Sequence, residues 1–419
     1  MSTAMPAGTA YLLPAAAAKK RRLEATLTGL FATWGYNEII TPAVESLEVL
    51  QPGMSGKLLQ QSCKFLDAQG RIKVLRSDLT TPLAYLAATR LFRQPQPLRL
   101  CYCDSIFRTE GQTEFRQAGV EVLGAAGEAA DTEVLALAAS CLQQAGLPEF
   151  RIGIGHAGFV EGLLDEAAAS EETREKIRRA LNRRDFVGYR EIVRDIAAPP
   201  AVRDLLSGLP DRHGDATILP QAAALTGNPQ AQAALGSLAG IYRSLAAAGW
   251  GNRIYLDLSL VRDLDYYTGI IFEAYTYGLG SPILGGGRYD SLPGKFGNAL
   301  PAVGFAIGVE RLLAVLEQLG VADPARPVDC LVVPAPGQET AALLLAEELR
   351  REGGTAAVEI TGREPAAARE YARQRGIRRL LVIDADGSRS SEEITGETAE
   401  RSDIFDLRPL FDRYAGEWR

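Results

Sequence analysis

The sequence predicts a mixed α/β protein in two parts, a large part in which strands and helices mix and a small one in which they alternate. Three observations carry this prediction. At 419 residues and 47% hydrophobic, the chain has enough apolar material for more than one core. Ile254, Leu256, Leu258 and Leu260 alternate with Tyr255, Asp257 and Ser259, the period of a half-buried strand, and the apolar run Ile270 to Tyr275 reads as its hairpin partner. Beyond a linker marked by Asp323, Pro324 and Pro327, strand and helix patterns alternate through VDCLVVPAP, a helix around Ala341 to Arg351, TAAVEI, a helix to Gly376, and RRLLVIDAD.

Taken in order, residues 1 to 14 read as an extended lead-in. From Ala15 a helix carries Leu23, Leu27, Leu30, Phe31 and Trp34 on one stripe, with the basic run Lys19, Lys20, Arg21 and Arg22 as a solvated face. Gly35 closes it, and a strand with Ile39 and Ile40 follows and breaks at Pro42. KVLRSDLTTPLAYLAATRLF reads as a strand to about Leu75, a polar turn and a helix with Pro82 in its first turn. Thr80 or Thr81 is the expected cap, and the free N–H groups face whatever Arg76 and Asp78 hold. An Ala-rich helix spans Gly124 to Gln144, and RIGIGHAGFVEGLL then sets His156 after a strand. His156 has no Ser or Cys partner in its segment and reads as structural. Residues 160 to 250 are helical; EETREKIRRALNRRD spaces its charges as a solvated, protein-binding helix does, with too few aromatics for a nucleic-acid surface.

Polar chemistry concentrates in LVRDLDYYTGIIFEAYTYGLGSPILGGGRYD, residues 260 to 290. Arg262 offers a planar fork of donors to a carboxylate or phosphate; Tyr266 and Tyr267 hydrogen-bond or stack on a flat ring. Asp263 and Asp265 add two acids, and Gly285, Gly286 and Gly287 let backbone approach a ligand without a Cβ in the way. Singly, each residue also fits an ordinary strand pair with a glycine-rich turn.

Composition excludes several classes. A net charge of −7 without long like-charge runs sets up no global field for nucleic acid or anionic membrane. Cys63, Cys101, Cys103, Cys141 and Cys330 are scattered and lack a zinc spacing, so they read as core thiols; with only His156 and His213, a His-based metal site is not expected. No 18-residue apolar span or signal-peptide pattern occurs, and a cytoplasmic location is expected.

RDLDYYTG followed by GGGRYD resembles the two histidine-binding signatures of histidyl-tRNA synthetase and its paralogues. Three further stretches resemble the motifs of class II aminoacyl-tRNA synthetases. The first helix with GYNEIITPAVES resembles motif 1, which implies a dimer interface. RLCYCDSIFRTEGQTEFRQAGVEVLG resembles motif 2, two antiparallel strands joined by a loop, which implies an ATP-clamping Arg108 followed by Glu110, with Gln117 and Glu121 touching the bound amino acid. KFGNALPAVGFAIGVERLLAVLEQLG resembles motif 3, which implies that Arg311 packs on ATP and that Gly304 and Gly308 let strand and helix pack closely. The implied fold is a class II synthetase-like antiparallel sheet with flanking helices over residues 1–325, with a helical insertion at about 160–250, and a small α/β domain over 326–419 similar to an anticodon-binding domain.

Four departures from the synthetase pattern lie in separate segments. R-S-D-L-T replaces R-P-E-G-T, putting Asp78 at the acidic position; the motif 2 loop is short, with GQTE at its middle; GHAGFVEGLL replaces the usual turn; and from residue 326 on there are 14 arginines and no lysine against 18 acids, a net −4 and a poor surface for a polyanion. Together they resemble the paralogue that regulates ATP phosphoribosyltransferase, the first enzyme of histidine biosynthesis. That resemblance implies a non-catalytic protein without metal or cofactor, a homodimer within a hetero-octamer formed with the short catalytic subunit, binding no nucleic acid and carrying feedback by histidine. It implies a histidine pocket of Asp78, Thr80, Arg108, Gln117, Glu121, Arg262, Tyr266 and Tyr267, and a vestigial ATP site at Arg108, Glu110 and Arg311. The alternative is an active synthetase charging tRNA with histidine, favoured by Arg262, F-R-x-E and the E-R of motif 3.

Overall fold

The computed structural model describes residues 8–9, 11–262, 266–321 and 328–394. Asp263, Asp265, the linker residues Asp323, Pro324 and Pro327, most of the lead-in before Thr9, and the end of the chain from residue 395 lie outside the described residues. The chain divides into two units, Met1–Val321 and Ala322–Arg419.

The first unit opens with α1 (Pro14–Thr33), whose leading proline has the fixed φ that suits a helix start. Leu23, Leu27, Leu30 and Phe31 are buried on one stripe, and Gly35 ends the helix at φ +81°. The basic run on α1 is not simply solvated. Lys20 pairs with Glu310 and Lys19 with Glu317 at 3.2 Å, partners that no local pattern reveals because they stand almost three hundred residues away. β1 (Asn37–Glu38) is shorter and earlier than expected; Ile39 still donates to the Cys101 carbonyl, but Ile40 is 78% exposed.

A small antiparallel sheet of β2 (Val44–Ser46), β3 (Lys64–Leu66) and β4 (Ile72–Leu75), in the order β2-β4-β3, is built with the short helices α2 (Leu47–Leu50) and α3 (Gly56–Gln61). Next, α4 (Thr80–Leu86) runs on through a π-helical turn, Ala87–Leu91. Neither threonine caps α4. Asp78 does so, its Oδ2 accepting from the Thr81 hydroxyl at 2.7 Å and the Thr81 N–H at 3.3 Å, because Thr80 and Thr81 already lie inside the first turn.

The remaining elements are β5 (Leu98–Phe107), β6 (Glu114–Leu123), α5 (Glu128–Gln144) and β7 (Arg151–His156); then the helices α6 (Ala157–Glu166), α7 (Glu171–Asn182), α8 (Phe186–Arg194) and α9 (Pro200–Ser207). They continue with β8 (His213–Gly214), α10 (Ile218–Ala223), α11 (Pro229–Ala247), β9 (Ile254–Asp257), β10 (Ile270–Tyr275), β11 (Leu284–Arg288), α12 (Ser291–Gly294), β12 (Ala302–Gly308) and α13 (Val309–Gln318). His156 caps α6 by accepting the Gly158 N–H on Nδ1 at 3.1 Å, a structural role.

Nine strands form the main sheet in the order β1-β5-β6-β12-β11-β10-β7-β9-β8, antiparallel except for β1/β5 and β7/β9. The hairpin expected between residues 254–260 and 270–275 is not made. β9 stops at Asp257, and β7 lies between β9 and β10, pairing with both. Alternation specifies which face a side chain takes, whereas the neighbour is set by non-local pairing. The true partner of β10 is β11, so the triple glycine is a strand and not a turn, with Glu273 opposite Gly285 and Ile271 opposite Gly287.

Pairing sorts the side chains by face. Ala118, Val120 and Val122 of β6, Val303, Phe305 and Ile307 of β12, Phe272 and Ala274 of β10, and Ile152 and Ile154 of β7 point into the main core with Leu27, Phe31 and the apolar residues of α5 and α13. The opposite face is nearly bare, because Gly119, Gly304, Gly285, Gly287, Gly153 and Gly155 alternate with those apolar residues. A strand with one core face and one glycine face makes a floor to which something else can come close.

The second unit has a four-stranded sheet, ordered β14-β13-β15-β16, of β13 (Cys330–Pro334), β14 (Ala356–Val358), β15 (Arg379–Ile383) and β16 (Arg389–Glu393). The first three strands are parallel and β16 is an antiparallel edge; α14 (Glu339–Arg351) and α15 (Pro365–Gln374) supply the apolar residues of two small cores, one containing Val332 and Leu345, the other Leu331 and Ala368. No helix among the described residues is long and apolar enough to cross a membrane.

Candidate ligand site

The glycine-paved face holds a cavity of about 350 Å³, lined by β6, β11, β12, the α4 start and the residues flanking β10. Asp78, Thr80, Arg108, Glu110, Gln117, Glu121, Arg262, Tyr266, Tyr267 and Arg311, all expected at a site from the sequence, line this one cavity. Arg76 does not. It turns away, pairing with Asp104 and donating to the Ser105 carbonyl at 2.7 Å and the Thr41 carbonyl at 2.5 Å, and so ties the polar turn to β5.

Glu121 is fully buried over Gly304, where an added Cβ would overlap its Oε2. Gly304 therefore serves the site, making room for this carboxylate, and not the strand-to-helix packing that the motif resemblance implies. Three hydroxyls converge on Glu121: Tyr289 donates to Oε2 at 2.5 Å, and Thr80 at 2.8 Å and Tyr102 at 3.3 Å donate to Oε1. Burial pushes its carboxyl up to about 7 even though those hydroxyls pull it down. Asp78 is raised by burial as well, with Arg108 and the Thr81 bonds opposing.

Positive charge faces these acids across the floor. The Arg108 Nε donates to the Ser77 carbonyl at 3.1 Å, and its guanidinium stands 5.3 Å from the Phe115 ring. Arg262 lies over Gly285, its Nε 3.3 Å from Glu273, and Arg311 donates to the Pro282 carbonyl. Burial lowers the Arg108 and Arg311 pKa values, and the like charges lower them further: Arg311 and Arg262 act on Arg108, and Arg262 acts on Arg311. Three guanidinium groups that repel one another around one hollow are an anion-binding arrangement. The strands under Glu121 and Arg262 are separated by β12, so the two groups stand on the order of 10 Å apart, room for a small molecule. Tyr266 packs 5.1 Å from Tyr267 and 5.8 Å from Tyr289, giving the hollow an aromatic wall.

Sequence reading missed Tyr102, Tyr289 and Glu310. Glu310 lines the cavity with both oxygens engaged, one by Lys20 and the other by the Arg116 N–H at 2.8 Å. Tyr289 stood in plain view within GGGRYD, and the alternation of glycine with Ile, Val and Phe in RIGIGH, QAGVEV and AVGFAIG was the available signal for the open floor. The motif 2 loop, Arg108 to Thr113, is pinned: Arg108 N–H donates to the Thr113 carbonyl, Thr113 N–H to the Gly8 carbonyl, and Gln61 donates to Glu110 at 2.8 Å.

Residues 8–312 match the family model described as histidyl-tRNA synthetase. The chain is 41% identical to an ATP phosphoribosyltransferase regulatory subunit of Moorella thermoacetica over 88% of its own length and 96% of that protein, and 40% identical to one from Symbiobacterium thermophilum over 90% and 96%. A solved structure from Bacillus halodurans C, described as an ATP phosphoribosyltransferase regulatory subunit/histidyl-tRNA synthetase, superposes with a TM-score of 0.81 at 32% identity, covering 88% of this chain and 96% of that one. Histidyl-tRNA synthetase from Nostoc sp. PCC 7120 shares the fold, with a TM-score of 0.82 at 22% identity over 99% of this chain and 100% of that one.

Proposed function

The chain belongs to the ATP phosphoribosyltransferase regulatory subunits, built on the fold of histidyl-tRNA synthetase, and from that premise we propose that it is a histidine sensor that neither activates histidine nor charges tRNA. As a regulatory subunit it serves the first step of histidine biosynthesis, and its partner is the catalytic phosphoribosyltransferase subunit. One observation carries the sensing role: a single cavity presents two buried carboxyls, Asp78 and Glu121, with three arginines, Arg108, Arg262 and Arg311. That pattern complements a small zwitterion with a second basic group. In this reading Glu121, Asp78 and Thr80 take the ammonium and imidazole nitrogens, Gln117 adds an amide, Arg262 or Arg108 takes the carboxylate, and Tyr266 and Tyr267 face the ring.

Support for the absence of tRNA charging comes from the short pinned loop and the net −4 of residues 326–419. The subunit acts as a homodimer in a hetero-octamer in the cytoplasm, and histidine shifts its partner's activity by favouring one global state, a coupling typically ~1–3 kcal/mol. A second reading, activation of histidine by ATP, draws on the presence of Arg108, Glu110 and Arg311 in the same cavity.

The test is reconstitution. Adding the chain to the catalytic subunit should raise phosphoribosyl transfer, and histidine should reverse that gain. With Arg262→Ala, activation should persist while the histidine response weakens by tenfold or more. An unchanged histidine response would remove Arg262 from the pocket.

A further inference from the structure

Arg262 and Tyr267 border two hollows. One is the cavity described above; the other, about 880 Å³, lies on their far side against α3, α6 and α7, with Glu161, Arg178 and Arg183 among its walls. From this shared partition a chain of contacts leads to the helical insertion. The Arg262 Nε stands 3.3 Å from Glu273 Oε1, and the Tyr275 hydroxyl donates to Glu273 Oε2 at 2.5 Å. Arg184 then donates to the Tyr275 oxygen at 2.9 Å, and its guanidinium lies 5.1 Å from the centre of that ring. Glu273 and Tyr275 sit two apart on β10 and so share the glycine-floored face, while Arg184 forms the corner between α7 and α8. Its φ of +55° is uncommon for a residue with a side chain, so the corner is held in a conformation that its surroundings must support.

We infer that Glu273 is the positioning residue for Arg262, and that the Glu273–Tyr275–Arg184 contacts carry pocket occupancy to the α7–α8 corner of the helical insertion. The physical basis is competition for one guanidinium. Glu273 divides its two oxygens between Arg262 and Tyr275. A ligand carboxylate that takes the Arg262 donors weakens the Arg262–Glu273 pair, and the freed carboxylate is left to Tyr275 and Arg184, tightening the corner. Each link is a charged or charge-assisted contact between discrete partners, and so responds to the change at Arg262. This inference rests on the proposal that the cavity binds histidine.

The experiment is amide hydrogen exchange on the full chain with and without saturating histidine, beside calorimetric titration of histidine, for the wild type, Tyr275→Phe and Arg184→Gly. Glycine suits the backbone at position 184, so that variant cuts the contact without straining the corner. Wild type should bind histidine and show at least a threefold slowing of exchange across residues 182–188. Both variants should bind histidine within about threefold of wild type yet lose the slowing. Glu273→Gln, which removes the carboxylate competing for Arg262, should tighten binding by about threefold or more and also lose the slowing, whereas Glu273→Asp, which keeps the charge, should not tighten it. Histidine binding without slowed exchange at the corner overturns the relay alone, as does slowing that survives both variants. No histidine binding by the wild type overturns the functional reading, and the relay with it.

Discussion

At the scale of single residues, the cavity depends on what is missing as much as on what is present. Gly304 has no room for a Cβ, which would overlap Glu121 Oε2 and crowd the Val120 carbonyl. Gly304→Ala should therefore cost about 1–3 kcal/mol of stability and abolish histidine binding, read by thermal melting and calorimetry. Glu121 makes a second prediction. Its carboxyl titrates near pH 7 in the folded protein, above its unfolded value, so the folded state holds that proton more tightly. The stabilisation it provides is complete below the unfolded value and is lost as pH rises through about 7. Glu121→Gln should flatten that part of the stability profile. Ligand binding should run the other way: an ammonium, which stays charged through this range, prefers the ionised carboxylate, so histidine affinity should rise from about pH 6 to 8 in wild type and lose this rise in the glutamine variant. A binding profile of unchanged shape would take Glu121 out of contact with the ligand. Glu121 was legible in the sequence only through the resemblance of its stretch to motif 2, and Gly304 was read there as a packing glycine. Tyr102 was not legible, since a tyrosine in a strand reads as core until its hydroxyl is seen on Glu121.

At the scale of elements, local pattern and partner choice separate. α1 follows from its apolar stripe, α5 from its alanine-rich run, and β6 and β12 from the resemblance to motifs 2 and 3; the strand-helix alternation of residues 328–383 emerges as read, with β16 added as an edge that RSSEE, lacking apolar alternation, did not announce. Pairing was misread at β9, because β7 enters between it and β10 from a hundred residues earlier, and no local period encodes that order. The Lys20–Glu310 pair was hidden for the same reason. His156 tests the element that begins at β7. It caps α6, and burial, with Arg288 nearby, lowers its pKa to about 4. A histidine held neutral in the fold stabilises fully above its unfolded value and loses that contribution as pH falls toward 4. His156→Ala should cost ~1 kcal/mol at neutral pH through the lost cap and make stability less steep below pH 6.5. Equal steepness in both proteins, followed by chemical denaturation, would show that His156 charges freely in the folded state.

At the scale of the whole molecule, the fold of a synthetase surrounds a cavity lined by two buried carboxyls and three arginines. Arg108 and Arg311 remain in the cavity, so the proposal that aminoacylation is lost rests on the short loop between β5 and β6 and the acidic second unit. That balance makes one measurement decisive: pyrophosphate exchange with histidine and ATP on the purified full chain, run beside calorimetric titration with histidine alone. Histidine should bind, and exchange should stay at background. Exchange at a synthetase-like rate would contradict the sensor account and return the cavity to the chemistry of histidine activation.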